Sequence, residues 1–216
     1  MRGQHRVLIV DDQPLTRDGV AALLEKSGAF TVCGQAGTAR EGREKAQALQ
    51  PDLIILDLLL GGHDGADLVT ELLALRPSLR ILVYSSCDER IYAPRVLRSG
   101  ARGYVMKNEA ASVLLDALAA IATGKHFVSP AVQNELVEEA LGSRDGIPVL
   151  QRLSNQELRV FRLIGNGLRL GEIATELNLS VKTIGTYCER LKNKVGVATS
   201  RELHRKANRL LDRNPF

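Results

Sequence analysis

The chain has 216 residues, enough for one large domain or two small ones with separate cores, and its 44% apolar and 25% charged content is that of ordinary globular protein. No stretch approaches the ~20 consecutive apolar residues of a membrane span. Met1-Arg2-Gly3-Gln4-His5 leads straight into a strand pattern rather than an apolar leader, so the reading is cytoplasmic, with no membrane partner. Cys33, Cys87 and Cys188 are far apart and form no C-x-x-C pair, which suggests neither a disulfide framework nor a zinc site. The net charge of +4 hides an asymmetry: residues 153–216 carry 12 Lys+Arg against 6 Asp+Glu, and the remainder 17 against 19. A basic C-terminal third fits a polyanion partner, or else an arginine-rich solvated helical surface.

In chain order, the apolar run Arg6-Val7-Leu8-Ile9-Val10 ends in Asp11-Asp12, and Pro14 opens a helix carrying Leu15, Val20, Leu23 and Leu24. A strand at about Phe30 to Ala36 and a helix at about Ala39 to Leu49 follow. Leu53-Ile54-Ile55-Leu56 then runs into Asp57, a short apolar run after the Pro51-Asp52 turn that suits a central parallel strand buried on both faces. Gly65 opens a helix with Leu68, Val69, Leu72 and Leu73 on one face. Ile81-Leu82-Val83-Tyr84 ends in Ser85, a helix runs to Gly100, Gly103-Tyr104-Val105-Met106 ends in Lys107, and a helix at about Ala110 to Thr123 closes this part. Five β–α units over residues 5–124 predict an α/β fold, a doubly wound five-stranded parallel sheet whose polar strand ends meet at one rim.

Residues 125–152 read as a linker with one helix near Pro130 to Leu141 and a Gly-, Ser-, Asp- and Pro-containing stretch from Gly142 to Pro148. Residues 153–216 read as an all-α four-helix domain. Ser154-x-x-Glu157 and Thr199-x-x-Glu202 are capping boxes at the start of the first and last of these helices.

Asp57 at a strand end can serve only to cap the next helix, and its neighbours decide otherwise. Asp11, Asp12 and Asp57 at adjacent strand ends repel one another unless a cation lies between them, and a hard ion taking oxygen ligands, Mg²⁺ or Mn²⁺, suits them. With the ion in place Asp57 can attack a phosphoryl group, Lys107 can neutralise its oxygens and Ser85 can hydrogen-bond it. Tyr104, three residues before Lys107, can sense movement of that hydroxyl.

These residues resemble the receiver domain of a two-component response regulator. The C-terminal pattern Leu153-Ser154-x-x-Glu157, Gly167, Glu172-Ile173-Ala174, Leu179-Ser180-x-x-Thr183-Ile184 and Lys194-Val195-Gly196-Val197 resembles a LuxR-type helix-turn-helix. Together they are similar to the NarL/FixJ class, with a flavodoxin-like receiver. The resemblance implies that Asp57 accepts phosphate from a sensor histidine kinase, that Asp12, Asp57 and the Leu59 carbonyl hold the metal, and that Asp11 acts through water. The family usually reads M-P-G-M-D-G after the phosphoacceptor, whereas Leu60-Gly61-Gly62-His63-Asp64-Gly65 stands here, so a looser loop is expected at Gly61, with His63 a solvated loop histidine. The positions that tune hydrolysis are Leu59 and Cys87, neither suited to orienting water, which predicts a long-lived acyl phosphate. Pro94 is expected to shorten the fourth helix at its start. Tyr187, Leu170 and Gly171 replace the His, Asn and Lys common in the family, leaving individual phosphate contacts less defined than the fold.

From Ser180, a 3.6-residue period puts Ile184, Cys188, Leu191 and Val195 on one face and Lys182, Gly185, Thr186, Glu189 and Asn193 on the other, flanked by Thr183, Tyr187, Arg190 and Lys194. That outward strip suits a DNA major groove: Lys182, Arg190 and Lys194 on phosphates, with Gly185, Thr186 and Glu189 reading bases. Leu203, Ala207 and Leu210 on the last helix fit either a homodimer seam, for binding two promoter half-sites, or core packing. The preferred function is a phosphorylation-controlled DNA-binding transcription regulator, not an enzyme apart from catalysing phosphorylation and dephosphorylation of its own Asp57. The alternatives are a DNA-binding regulator whose receiver is a phosphorylation-independent interaction module, or an aspartyl phosphohydrolase. The latter lacks a second acid behind the nucleophile, where Leu59 stands.

Overall fold

A computed structural model describes residues 4–60, 63–141 and 149–212. The chain divides into two compact units, Met1–Glu138 and Glu139–Phe216. The first contains β1 (His5–Val10), α1 (Pro14–Ser27), β2 (Phe30–Ala36), α2 (Ala39–Leu49), β3 (Leu53–Leu56), β4 (Leu59–Leu60), β5 (His63–Asp64), α3 (Gly65–Leu75), β6 (Arg80–Ser85), α4 (Glu89–Arg98), β7 (Gly103–Met106) and α5 (Ala111–Ala122). Five strands form one parallel sheet in the order β2-β1-β3-β6-β7. Parallel neighbours need a crossover helix between them, which is why strand and helix alternate.

The apolar runs decide which strands lie inside. All four residues of β3 and the last four of β1 are buried. On one face Val7, Ile9, Leu53, Ile55, Leu82 and Val105 pack with Val20 and Leu24 of α1 and Leu114, Leu118 and Ile121 of α5. Side chains alternate along a strand, so Leu8, Val10, Ile54, Leu56, Ile81 and Val83 are buried on the other face. Strand order reverses at β1, which leaves a crevice beyond the carboxyl ends of β1 and β3.

Three features differ from the sequence reading. Pro94 does not shorten α4, because Asp88 already caps the helix through its side chain (Arg90 N to Oδ1, 2.8 Å) and its carbonyl accepts Ile91 N and Tyr92 N at 3.1 Å each. The first turn closes without the proline nitrogen, and Pro94 lies buried inside the helix. His63, expected in a loop, has strand backbone, pairing with Leu60 in the antiparallel pair β4–β5. Residues 125–138, read as part of a linker, group with the first unit. Phe127 N donates to Arg102 O (3.0 Å) and Tyr104 N to Phe127 O (2.9 Å), extending the sheet beyond the edge of β7. The looser loop expected at Gly61 and the stretch from Gly142 to Pro148 lie outside the described residues.

A further helix, α6 (Pro130–Ala140), follows; the second unit then has a 3-10 turn at Val149–Arg152, α7 (Asn155–Gly165), α8 (Leu170–Glu176), α9 (Val181–Val195) and α10 (Ser200–Asp212). Both capping boxes close: Ser154 N donates to Glu157 Oε2 (2.7 Å) and Glu157 N to Ser154 Oγ (3.3 Å), and Thr199 N and Glu202 N reciprocate at 3.0 and 3.2 Å. Arg169 N to Glu172 Oε2 (2.7 Å) gives α8 half of the same device. Gly196 ends α9 at φ 68°, a left-handed backbone that disfavours a side chain. Leu158, Phe161, Ile164, Ile173, Ile184, Leu191, Leu203 and Ala207 are among the buried apolar residues of this unit. Among the described residues no helix is long and apolar enough to cross a membrane.

Candidate functional site

The sheet ladder itself assembles the first site. Beyond the last paired strand residues, Asp11 N donates to Ala36 O (3.0 Å), Asp57 N to Val10 O (2.8 Å) and Lys107 N to Ser85 O (2.9 Å). These bonds hold Asp11, Asp57, Ser85 and Lys107 at one rim although up to 96 residues separate them in sequence. Asp11, Asp57 and Ser85 are buried and Asp12 is exposed. Lys107 Nζ lies 2.7 Å from Asp57 Oδ2 and 2.8 Å from Asp11 Oδ2. The other oxygen of Asp57 accepts from Ser85 Oγ at 2.6 Å and from Leu59 N at 3.2 Å. Asp11 Oδ1 accepts from Gln13 N at 2.9 Å. One carboxylate oxygen from each of Asp11, Asp12 and Asp57 falls within 4.8 Å of the others, and these hard oxygen donors fit a divalent cation.

The electrostatics follow from crowding acids in a partly dry site. Burial raises the Asp11 carboxyl above its ordinary value despite the opposing hydrogen bonds from Lys107 and Gln13, and the neighbouring Asp57 charge adds to the rise. Burial acts to lower Lys107, but its hydrogen bonds to Asp11 and Asp57 outweigh it and leave the ammonium raised. Lys107 therefore stabilises the fold at all pH below its unfolded value, and that contribution is lost only as pH rises through its folded one. Tyr104 is 1% exposed, and its hydroxyl donates to Cys87 O at 2.7 Å. Burial pushes this phenol well above its ordinary value, with Cys87, Tyr92 and Asp57 adding and a hydrogen bond with Ser85 opposing. Arg17, which the sequence reading did not single out, donates from Nη1 to Asp11 O at 2.7 Å and so fastens α1 to the acidic turn.

The second site is the outer face of α9. Ile184, Cys188, Leu191 and Val195 are buried, as the 3.6-residue period requires. Lys182, Thr186, Glu189 and Arg190 are exposed, while Thr183, Gly185 and Tyr187 are half-buried. Ser180 Oγ accepts from Thr183 N at 3.1 Å and lies 2.8 Å from Thr183 Oγ1, so these two hydroxyls cap the helix start. Glu189 Oε1 pairs with Lys192 Nζ at 2.9 Å.

Two groups of residues have other partners than the sequence reading gave them. Lys194, placed on DNA phosphate, closes on Glu157 Oε2 at 2.7 Å with its Nζ 3.4 Å from Arg152 O. Glu157 is 3% exposed, and the ammonium is its counter-charge. The proposed dimer seam is corrected as well: Leu203 is 1% exposed and Ala207 0%, so both are spent on the core of their own domain, and only Leu210 remains half-buried. Arg201, Arg205 and Arg209 lie exposed on α10.

A rim of acids with one lysine on a five-stranded parallel sheet, followed by a helical unit that exposes one face of a capped helix, is the architecture of a receiver module joined to a helix-turn-helix module. Family comparison agrees: the response regulator receiver domain matches residues 7–119, and the luxR family of bacterial regulatory proteins matches residues 151–207. The chain belongs to the response regulators of two-component signalling, transcription regulators with a receiver and a LuxR-type DNA-binding domain. It is similar to BvgA, named for the regulation of virulence factors in Bordetella pertussis, at 32% identity over 92% of this chain and 94% of BvgA. The response regulator GacA of Pseudomonas viridiflava is 28% identical over 92% of both chains. Among solved structures, RcsB of Salmonella enterica serovar Typhimurium, bound to the rprA promoter in the presence of the phosphomimetic BeF3−, superposes with a TM-score of 0.71 at 27% identity, covering 95% of this chain and 99% of that one.

Proposed function

We propose that Asp57 is the phosphoacceptor of this regulator, that residues of the first unit catalyse its phosphorylation, and that the outer face of α9 reads promoter DNA in response. The observation that supports this best is the Lys107 ammonium held at 2.8 and 2.7 Å between Asp11 and Asp57, two of the three acids whose oxygens could share an ion. Asp11, Asp12, Asp57 and the Leu59 carbonyl are assigned to Mg²⁺ or Mn²⁺, with Asp11 acting through water. When bound, the ion neutralises the acids and the incoming phosphoryl oxygens. An Asp57 carboxylate oxygen attacks the phosphorus of a phosphohistidine on the sensor kinase. The P–N bond breaks, its electron pair goes to the imidazole, and an acyl phosphate remains on Asp57. Lys107 compensates charge on the transferred group, and Ser85 Oγ turns from Asp57 toward a phosphoryl oxygen. Hydrolysis returns the carboxylate and inorganic phosphate. Leu59 carries no polar side-chain group and Cys87 is fully buried, so neither aligns the attacking water. The acyl phosphate is expected to last far longer than seconds in Mg²⁺ at neutral pH, as followed by release of label from the purified protein.

In the second unit, Lys182 and Arg190 meet phosphates, with Ser180, Thr183 and Tyr187 beside them, and Gly185, Thr186 and Glu189 face the bases. Lys194 is left out, because Glu157 holds it. Lys182→Ala and Arg190→Ala should each flatten the log–log salt dependence of binding by about 0.9 without changing the preferred sequence, measured by fluorescence anisotropy. Thr186→Ala should change the preferred sequence. A homodimer on two half-sites is the proposed active form, with RcsB the precedent, since its dimers are seen on DNA. The test of the whole reading is selection of bound genomic DNA with and without acetyl phosphate. Enrichment of a common sequence that depends on the phosphodonor, and is lost in Asp57→Asn, is the expected result. Equal enrichment by Asp57→Asn in both conditions would leave the receiver as a mere interaction module.

A further inference from the structure

The segment from Ser85, which ends β6, to Glu89, which begins α4, is fastened at three points. Ser85 Oγ donates to Asp57 Oδ1 at 2.6 Å, inside the pocket. Cys87 O accepts from Tyr104 OH at 2.7 Å, which ties the segment to β7. Glu89 Oε1 accepts from Ser129 Oγ at 2.6 Å, across 40 residues, which ties the segment to the chain entering α6. Ser129 is also the start of that helix: its Oγ accepts from Val132 N (3.3 Å) and its carbonyl from Gln133 N (3.0 Å). A single hydroxyl thus donates to the α4 carboxylate and accepts from the first turn of α6. Just before it, Phe127 is laced to the backbone of Arg102 and Tyr104, next to Gly103. A Cβ on Gly103 would stand 2.6 Å from Phe127 O, so the glycine is what lets the strap lie this close.

We infer that Ser129 and Glu89 form the joint through which the phosphorylation state of Asp57 sets the seating of α6, the helix that leads out of the receiver. When a phosphoryl oxygen takes the Ser85 hydroxyl from Asp57, one of the three fastenings of the segment that begins at Ser85 is exchanged. Glu89, four residues on, is the first residue of α4, and the Ser129 hydroxyl is the group bonded to its carboxylate. Both are positioning residues, since neither touches the pocket. The inference rests on the reading of Asp57 as phosphoacceptor.

The test uses the full chain and the duplex recovered by the selection above, measuring DNA affinity with and without BeF3− and Mg²⁺. The ratio of the two affinities in the wild type, about 5–150-fold for coupled sites, should fall to near one in Ser129→Ala and in Glu89→Ala. Ser129→Thr and Glu89→Gln, which keep a hydroxyl donor and an oxygen acceptor, should retain it. The rate at which acetyl phosphate labels Asp57 should stay at the wild-type value in all four, since the pocket is untouched. A wild-type ratio that survives in Ser129→Ala and Glu89→Ala overturns the joint alone, as does a lower melting temperature with the ratio intact. A wild-type chain whose affinity ignores BeF3− overturns the phosphoacceptor reading and the joint together.

Discussion

Lys107→Met is expected to fold and to slow labelling of Asp57 by acetyl phosphate about 100-fold, read by intact-protein mass spectrometry over time. A preorganised charge aimed at developing negative charge in a partly dry site contributes ~10²–10³ in rate when removed alone. Lys107 is such a charge, with a side chain 11% exposed and its ammonium already in contact with the nucleophile. Methionine keeps the length of the stem and removes only the cation. The variant also leaves Asp11 and Asp57 facing each other without their shared ammonium, so its melting temperature should depend more strongly on Mg²⁺ than that of the wild type. A labelling rate within a few-fold of wild type would remove Lys107 from the chemistry and leave it a structural counter-ion.

Lys194→Met should destabilise the second unit by about 2 kcal/mol, a drop of roughly 10 °C for a domain of this size. Breaking a buried pair from one side costs ~3–5 kcal/mol because the remaining charge is stranded; the lower figure allows for a Lys194 side chain that is 42% exposed. Glu157 is the group at risk. Burial acts to raise its carboxyl, yet the Lys194 hydrogen bond and those from the Ser154 backbone and hydroxyl outweigh burial and hold it below the ordinary value. A depressed acid stabilises the fold above its unfolded pKa, and that contribution is lost as pH falls through the folded one. The wild-type unit should therefore lose stability on acidification below the ordinary carboxylate range, and Lys194→Met should show a weaker dependence there. Adding Glu157→Gln to Lys194→Met should recover part of the loss, because the stranded charge is gone. Thermal melts of the wild type, Lys194→Met, Glu157→Gln and the double variant across pH check the sign and the non-additivity.

Much of the molecule is legible in short windows of sequence. Four apolar residues running into Asp57, polar residues closing each strand run, Ser154 and Thr199 three residues before a glutamate, and the apolar period of α9 are all statements about neighbours within one or two turns. Steric and hydrogen-bonding rules act at that range, so the strands, caps and inner helix face follow from the residues alone. Range also limits the reading. Pro94 is expected from the sequence to shorten the fourth helix at its start, but Asp88 caps the turn before it, with Arg90 N on its Oδ1 at 2.8 Å. Leu203 and Ala207 form an apolar stripe that a second copy or the chain's own core would bury equally well, and the period of a helix does not distinguish the two. Lys194 on α9 looked like a phosphate contact, until the fold placed the Glu157 carboxylate, 37 residues away, within 2.7 Å of it. The sequence by itself determined the elements and the polar residues at their ends, whereas the tertiary structure decided which distant charges share a counter-ion, which apolar faces are already spent, and that Ser129 reaches Glu89. Local preference depends on the bonds a residue can make with its neighbours, and partnership across the fold depends on which surfaces remain to be covered once those local bonds are made.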